Sequence, residues 1–281
     1  MIRNAGEPRR KRTARPGTRR AAFSAWVRPG RGRREVGGWR KPLRIASGVA
    51  ILLALLLGVN WIYQVIRKPS ELLFPIRAAK QPADTWRSYA ALFKRNSTRA
   101  ISPEFLAALA QAEGAGDPFA HTYWRWSWAA KPFDLYRPAS SSVGMYQMTD
   151  GTFAEARNYC IRDHHAVVDG DAHACGFDRR HLRILPTDAI ELTAAFLDRS
   201  VAGTLARNGI TGASIRQRQH LAAIIHLCGA GTGELYARRG FRFTAGQRCA
   251  LEDPRAYIAR VDEFEREFAA MAAQDAFAPG Q

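Results

Sequence analysis

The chain has 281 residues, 47% of them hydrophobic, enough for one substantial domain with appendages and too many for a wholly unfolded polypeptide. Its net charge of +17 is uneven: residues 1–44 hold fifteen Lys and Arg against Glu7 and Glu35, and the other 237 residues carry only +4. Basicity therefore describes a tail, the rest of the chain is nearly balanced, and nucleic acid is not an expected partner.

In chain order, residues 1–44 are too polar and too often interrupted by Gly and Pro to bury a core, and are expected to be a disordered cytoplasmic tail. Ile45 to Ile66 follows, 22 residues without a formal charge and long enough to cross a bilayer as one helix. Trp61 and Tyr63 stand near its end, where aromatic belts form. Cations before the span outnumber those after it, so the positive-inside rule keeps the N-terminus in the cytoplasm and exports the remainder. A cleavable signal peptide is the alternative; the 44-residue leader and the lack of a small-x-small site after the run favour a retained anchor. Residues 67–83, with Pro69, Pro75 and Pro82, read as a stalk, residues 84–275 as a mainly α domain, and 276–281 as a tail.

Within that domain the spacing predicts helices over Asp84–Arg95, Ser102–Glu113 and Asp150–Cys160, the last with Asp150 as N-cap. A long helix capped by Thr187 runs through Ile190, Ala194, Leu197, Val201 and Leu205. Another, capped by Ser214, runs through Leu221, Ile224 and Ile225 to Cys228. The last spans Asp253 to about Met271 and carries Pro254 at its first position, with Tyr257, Ile258, Val261, Phe264 and Phe268 at helical spacing. No strand run competes with these helices.

Glu113 is the residue most suggestive of chemistry. Ser102 fits an N-cap, Pro103 the first helical position and Gly114 the stop, and Phe105, Leu106 and Leu109 lie on the glutamate's side of that helix. Desolvation and the negative end of the helix dipole both favour a neutral carboxyl there, as a general acid requires. Four cysteines, Cys160, Cys175, Cys228 and Cys249, lie in the exported part, where disulfides form. They permit three pairings, and sequence does not choose; local pairing of Cys160 with Cys175 and of Cys228 with Cys249 is the expectation. A zinc site is the competing reading, since Asp163, His164, His165, Asp169, Asp171, His173 and Cys175 crowd one segment, but no established ligand spacing appears and no metal is expected. Trp124, Trp126 and Trp128 alternate onto one face of an extended segment, a pattern open to glycan contact, core packing or the membrane interface.

The Glu113 helix, the turn Gly144-Met145-Tyr146-Gln147 and the later segment His226-Leu227-Cys228-Gly229-Ala230-Gly231 together resemble, in that order, the lysozyme-like lytic transglycosylases of the soluble (SLT) type. Their pattern is a glutamate ending a helix, then Gly-Leu-Met-Gln, then Ala-Tyr-Asn-Ala-Gly-x-Gly. The resemblance spans roughly residues 100–235. It implies a lysozyme-like helical domain after a single transmembrane helix, anchored in the inner membrane with its catalytic part in the periplasm, acting on peptidoglycan strands without a cofactor. Glu113 takes the place of the acid/base, and Gly144, Met145, Tyr146, Gln147, His226 and Gly229 take places in the substrate cleft. Gly114 stands where the family usually has serine. His226 and Leu227 replace its tyrosine and asparagine, so support for the glutamate must come from His226, Tyr146 or elsewhere.

The implied reaction asks one residue to do two jobs. A carboxyl protonates the glycosidic oxygen between N-acetylmuramic acid and N-acetylglucosamine, and the carboxylate then takes a proton from the muramic 6-hydroxyl as that oxygen attacks the anomeric carbon. A muramidase using water is the alternative and needs a second carboxylate, for which Asp117, Asp134 and Asp150 are nearest in sequence. A third reading is a catalytically silent peptidoglycan-binding scaffold with protein partners in an envelope-spanning machine.

Overall fold

The computed structural model describes residues 40–67, 80–122, 124–127, 136–169, 175 and 181–277. The chain divides into two compact units, Met1–Ile51 and Leu52–Gln281. The described part of the first is the start of α1 (Arg40–Arg67), a helix whose apolar side chains Leu43, Ile45, Val49 and Ile51 are exposed. Within α1, Pro42–Ile66 is long and apolar enough to cross a membrane. It is apolar on nearly all sides, as lipid requires and water does not favour.

The second unit is mainly helical among its described residues. Besides the end of α1 it holds α2 (Pro82–Asn96), α3 (Pro103–Gly114), α4 (Asp150–Ala156), α5 (Pro186–Arg207), α6 (Ile215–Cys228), α7 (Ala230–Arg238) and α8 (Pro254–Phe277). The core is built around α3, in which Phe105, Leu106, Ala107, Ala108, Leu109 and Ala110 are all at most 1% exposed. Burial on every side makes it the central helix. Its alanines let neighbours approach closely, and it packs most extensively against α8, then α2. Tyr257, Ile258, Val261 and Phe268 of α8 and Ile190, Ala194, Leu197, Val201 and Leu205 of α5 are buried at the expected helical spacing.

The caps differ in detail from expectation. Ser102 accepts a hydrogen bond from the Phe105 amide, and Ser214 forms a capping box with Gln217. However, Thr149 rather than Asp150 caps α4, and α5 begins at Pro186 after Leu185, with Thr187 already inside it. Proline at the first position needs no donor, so that end forms without a side-chain cap. Helix α2 begins at Pro82, inside the expected stalk, and Lys80 is already tied to the domain through its carbonyl, which accepts from Gln111 Nε2 at 2.8 Å.

Two short antiparallel hairpins appear where no strand was expected. β1 (Trp124–Trp126) pairs with β2 (Tyr136–Pro138), and β3 (Tyr159–Arg162) pairs with β4 (His165–Val168). The second ends α4 early, because Tyr159, Cys160 and Ile161 suit a strand once a partner is beside them. Asp163 and His164 form its two-residue turn at φ 46° and 59°, the left-handed geometry that favours Asp and related residues. Disulfides join Cys160 to Cys175 and Cys228 to Cys249, the local pairing, and no cysteine is free. One fastens β3 to the chain beyond β4; the other ties the end of α6 to the turn before α8.

Candidate active site

Glu113 lies in the last turn of α3, one residue before the helix ends. Ala115, at φ 47°, makes the left-handed exit, and its amide and that of Gly116 close back on Gln111 and Ala110. Gly114 is therefore not the stop itself. A Cβ there would lie 2.8 Å from both the Cα and the carbonyl oxygen of Met145, so glycine is what lets the Gly144–Gln147 turn rest directly on the end of α3.

The turn is closed by its own hydrogen bonds. Gln147 N donates to Gly144 O at 2.9 Å and Gly144 N to Ala120 O at 2.8 Å, while Gln147 Nε2 reaches the carbonyls of Ala120 (3.0 Å) and Gly144 (2.9 Å). Gly144 has φ +82° and lies so near Arg183 that a Cβ would come within 2.5 Å of its carbonyl oxygen. Gln147 is half-buried at φ 46°, with its amide nitrogen spent on the backbone and Oε1 left as an acceptor. Met145 and Tyr146 are not cleft residues. Both are essentially unexposed, and the Tyr146 hydroxyl donates to Leu106 O at 3.1 Å, so they anchor the turn to the core beneath it. Burial pushes the Tyr146 phenol well above its usual pKa, keeping it a donor.

The hydroxyl supporting Glu113 comes from Tyr257 on α8, which donates to Glu113 Oε1. His226, in the last turn of α6, places Nε2 3.7 Å from the same oxygen. Their side chains are mostly enclosed, 17% exposed for Glu113 and 9% for His226. Burial, then the negative charge of Glu113 and the hydrogen bond to it, hold the Tyr257 phenol well above its ordinary pKa. Tyr257 is thus a fixed donor and Oε1 its acceptor. Arg260 stacks over the Tyr257 ring, 5.3 Å from its centroid.

Gly229 separates α6 from α7 at φ 83° and is exposed, so the segment after His226 turns at the surface beside the pair. Asp117 Oδ1 caps a local turn by accepting from Phe119 N at 3.0 Å, and Asp150 is paired with Arg183 at 2.8 Å. Asp134 and Trp128 lie outside the described residues. Trp124 and Trp126 stand on one face of β1 and pack at a tilt against Tyr136 of β2, with centroids 5.2 and 4.9 Å away. Trp126 is 59% exposed and so is not a core residue. Asp171 and His173 also lie outside the described residues, and among those described no group of three or more candidate metal ligands is brought together. His164 Nδ1 instead lies 2.8 Å from Ser97 O.

Tyr257 is the site residue the sequence did not single out, because its helical spacing assigned it to the core. A signal existed: a fully buried tyrosine needs a partner for its hydroxyl, and a buried carboxylate needs a donor. No family model matches the chain, and no curated protein matches it in sequence.

Proposed function

We propose that this protein is a membrane-anchored peptidoglycan lytic transglycosylase with a lysozyme-like domain, in which Glu113 acts first as acid and then as base. The observation that carries this reading is the enclosed Glu113 carboxylate at the end of the central helix, held through Oε1 by Tyr257 and packed beside the Gln147 turn. A carboxylate held through one oxygen keeps a second that can give a proton and take one back. Protonation of the glycosidic oxygen by Glu113 lets the N-acetylglucosamine leave. The resulting carboxylate receives the muramic 6-hydroxyl proton as that oxygen bonds to the anomeric carbon, giving a 1,6-anhydro ring with no water consumed. Tyr257 stabilises the carboxylate formed between the steps, and Gln147 Oε1 can accept from a sugar hydroxyl or amide.

The hydrolytic reading needs a second carboxylate across the bond. Asp117 accepts from Phe119 N and Asp150 pairs with Arg183, while Asp134 lies outside the described residues. With α1 as anchor and two disulfides in the domain, we place the domain in an oxidising compartment, the periplasm, with the basic tail in the cytoplasm. Mass analysis of the products released from purified sacculi tests the function: anhydro-muramic ends support it, and reducing ends assign a muramidase.

A further inference from the structure

The β1–β2 hairpin is fastened to the last turns of α1. Asn60 Nδ2 donates to the carbonyl oxygen of Tyr136 on β2 at 2.7 Å. Asn60, Gln64 and Val65 are 2%, 5% and 9% exposed, whereas Trp61, Ile62, Tyr63 and Ile66 are exposed. Asn60 and Gln64 are four residues apart and share one face of the helix. That polar face is covered, while the aromatic and aliphatic face is left outward.

Depth along the helix decides what the outward side meets. The apolar run before Asn60, Ile45 to Val59, is fifteen residues without a charge. At 1.5 Å per residue it measures about 22 Å, short of the roughly 30 Å hydrocarbon core. A bilayer spanned by α1 must therefore take in Asn60, roughly 8 Å or less from its boundary once Arg44 extends its long side chain outward at the other end. An amide at that depth needs internal partners, and the Tyr136 carbonyl supplies one for Nδ2, while Asn60 Oδ1 is buried without one. Tyr136 is thereby held near the bilayer edge, with Trp124 and Trp126 packed against it and Arg125 exposed on the other face of β1.

We propose that the β1–β2 hairpin is a membrane-interface foot, with the indole of Trp126 and the guanidinium of Arg125 seated among the lipid headgroups of the leaflet from which α1 emerges. Indole and guanidinium suit that layer because each pairs an apolar body with donors for phosphate and carbonyl oxygens. A glycan strand is the other occupant that flat aromatic surface suits, but only the bilayer is tied to this hairpin by a contact with α1. The foot also bears on the site. Thr122 and Ser140, at the base of the hairpin, are hydrogen bonded to each other, and Ala120 just before it accepts from Gln147 and Gly144. Lipid contact thus steadies the turn that rests on α3 beside Glu113, whatever reaction Glu113 performs.

The test uses the full chain in phosphatidylcholine–phosphatidylglycerol vesicles containing a headgroup-nitroxide lipid. The native cysteines are paired, so Arg125→Cys carries a single environment-sensitive fluorophore; Leu251→Cys, 87% exposed in wild type, is the reference. Far-ultraviolet circular dichroism establishes that both labelled proteins are folded. The proposal expects blue-shifted emission at position 125 and nitroxide quenching severalfold greater than at position 251. Equal quenching at the two positions overturns it. So does a label at 125 that ignores the lipid quencher but shifts on adding soluble glycan strands, a result that assigns the hairpin to glycan.

Discussion

Tyr257 donates its hydroxyl to Oε1 of Glu113 across 144 residues of sequence, joining the last helix to the end of the central one. His226 approaches the same oxygen at 3.7 Å, so α3, α6 and α8 converge on one carboxylate. Helix packing fixes this convergence: α8 lies along α3, and its buried face presents Tyr257 where α3 ends.

Tyr257→Phe tests that support. The ring and its packing are kept while the donor is lost, leaving an enclosed carboxylate oxygen without its hydrogen bond. A hydrogen bond to a charged group contributes about 1.5–3 kcal/mol, so turnover should fall by roughly one to two orders of magnitude. Glycan binding should be little changed. Full activity in Tyr257→Phe would mean that Glu113 is held by other means.

Gly114→Ser adds a side chain at the close approach to Met145 and should be harmful. Its Cβ would meet the Met145 backbone at 2.8 Å, which no rotamer change relieves. Destabilisation of about 1–3 kcal/mol is expected from the forced backbone shift, read as a lower urea midpoint. An unchanged midpoint would show that the turn does not rest on α3 as described.

Alkaline unfolding should depend on Tyr146 and Tyr257. Both phenols are raised by burial, so the folded state keeps protons that the unfolded chain releases above about pH 10. Their contribution is fully present below that pH and is lost as pH rises from there towards the folded-state values. Denaturation midpoints between neutral pH and strong alkali should therefore drop more steeply in wild type than in Tyr146→Phe or Tyr257→Phe. Parallel curves would contradict this.

Thiol titration of the unfolded, unreduced protein should find no free cysteine. Reduction should destabilise the domain by about 3 kcal/mol per bridge in the chain-entropy description, since each closes a loop of moderate length. Four titratable thiols would remove both bridges from the account.

Much of the helical framework was legible because burial imposes a 3.6-residue period that Ile190, Leu197 and Val201 on α5 and Ile258 and Val261 on α8 obey. The hairpins were not legible, since strands of three or four residues give too few alternations and Tyr159 and Cys160 were read as the end of a helix. Glu113, the Gln147 turn and His226 were singled out by the resemblance, and the structure brings His226 and the turn's Met145 close to the end of α3. Tyr257 could not, because its partner is distant in sequence and its spacing is equally that of a core residue. Gly114 was misassigned for a related reason: helix stop and close approach both select glycine, and only the Met145 backbone distinguishes them.

The most direct test of the central claim is mass analysis of muropeptides released from purified sacculi by wild type and by Glu113→Gln. Glutamine keeps the side chain's size and can still accept from Tyr257, but it cannot give up and recover a proton. Wild type should release products ending in 1,6-anhydro-N-acetylmuramic acid, and Glu113→Gln, folded and still binding glycan, should release none. Anhydro products from Glu113→Gln at the wild-type rate would contradict the assignment of Glu113 as acid and base.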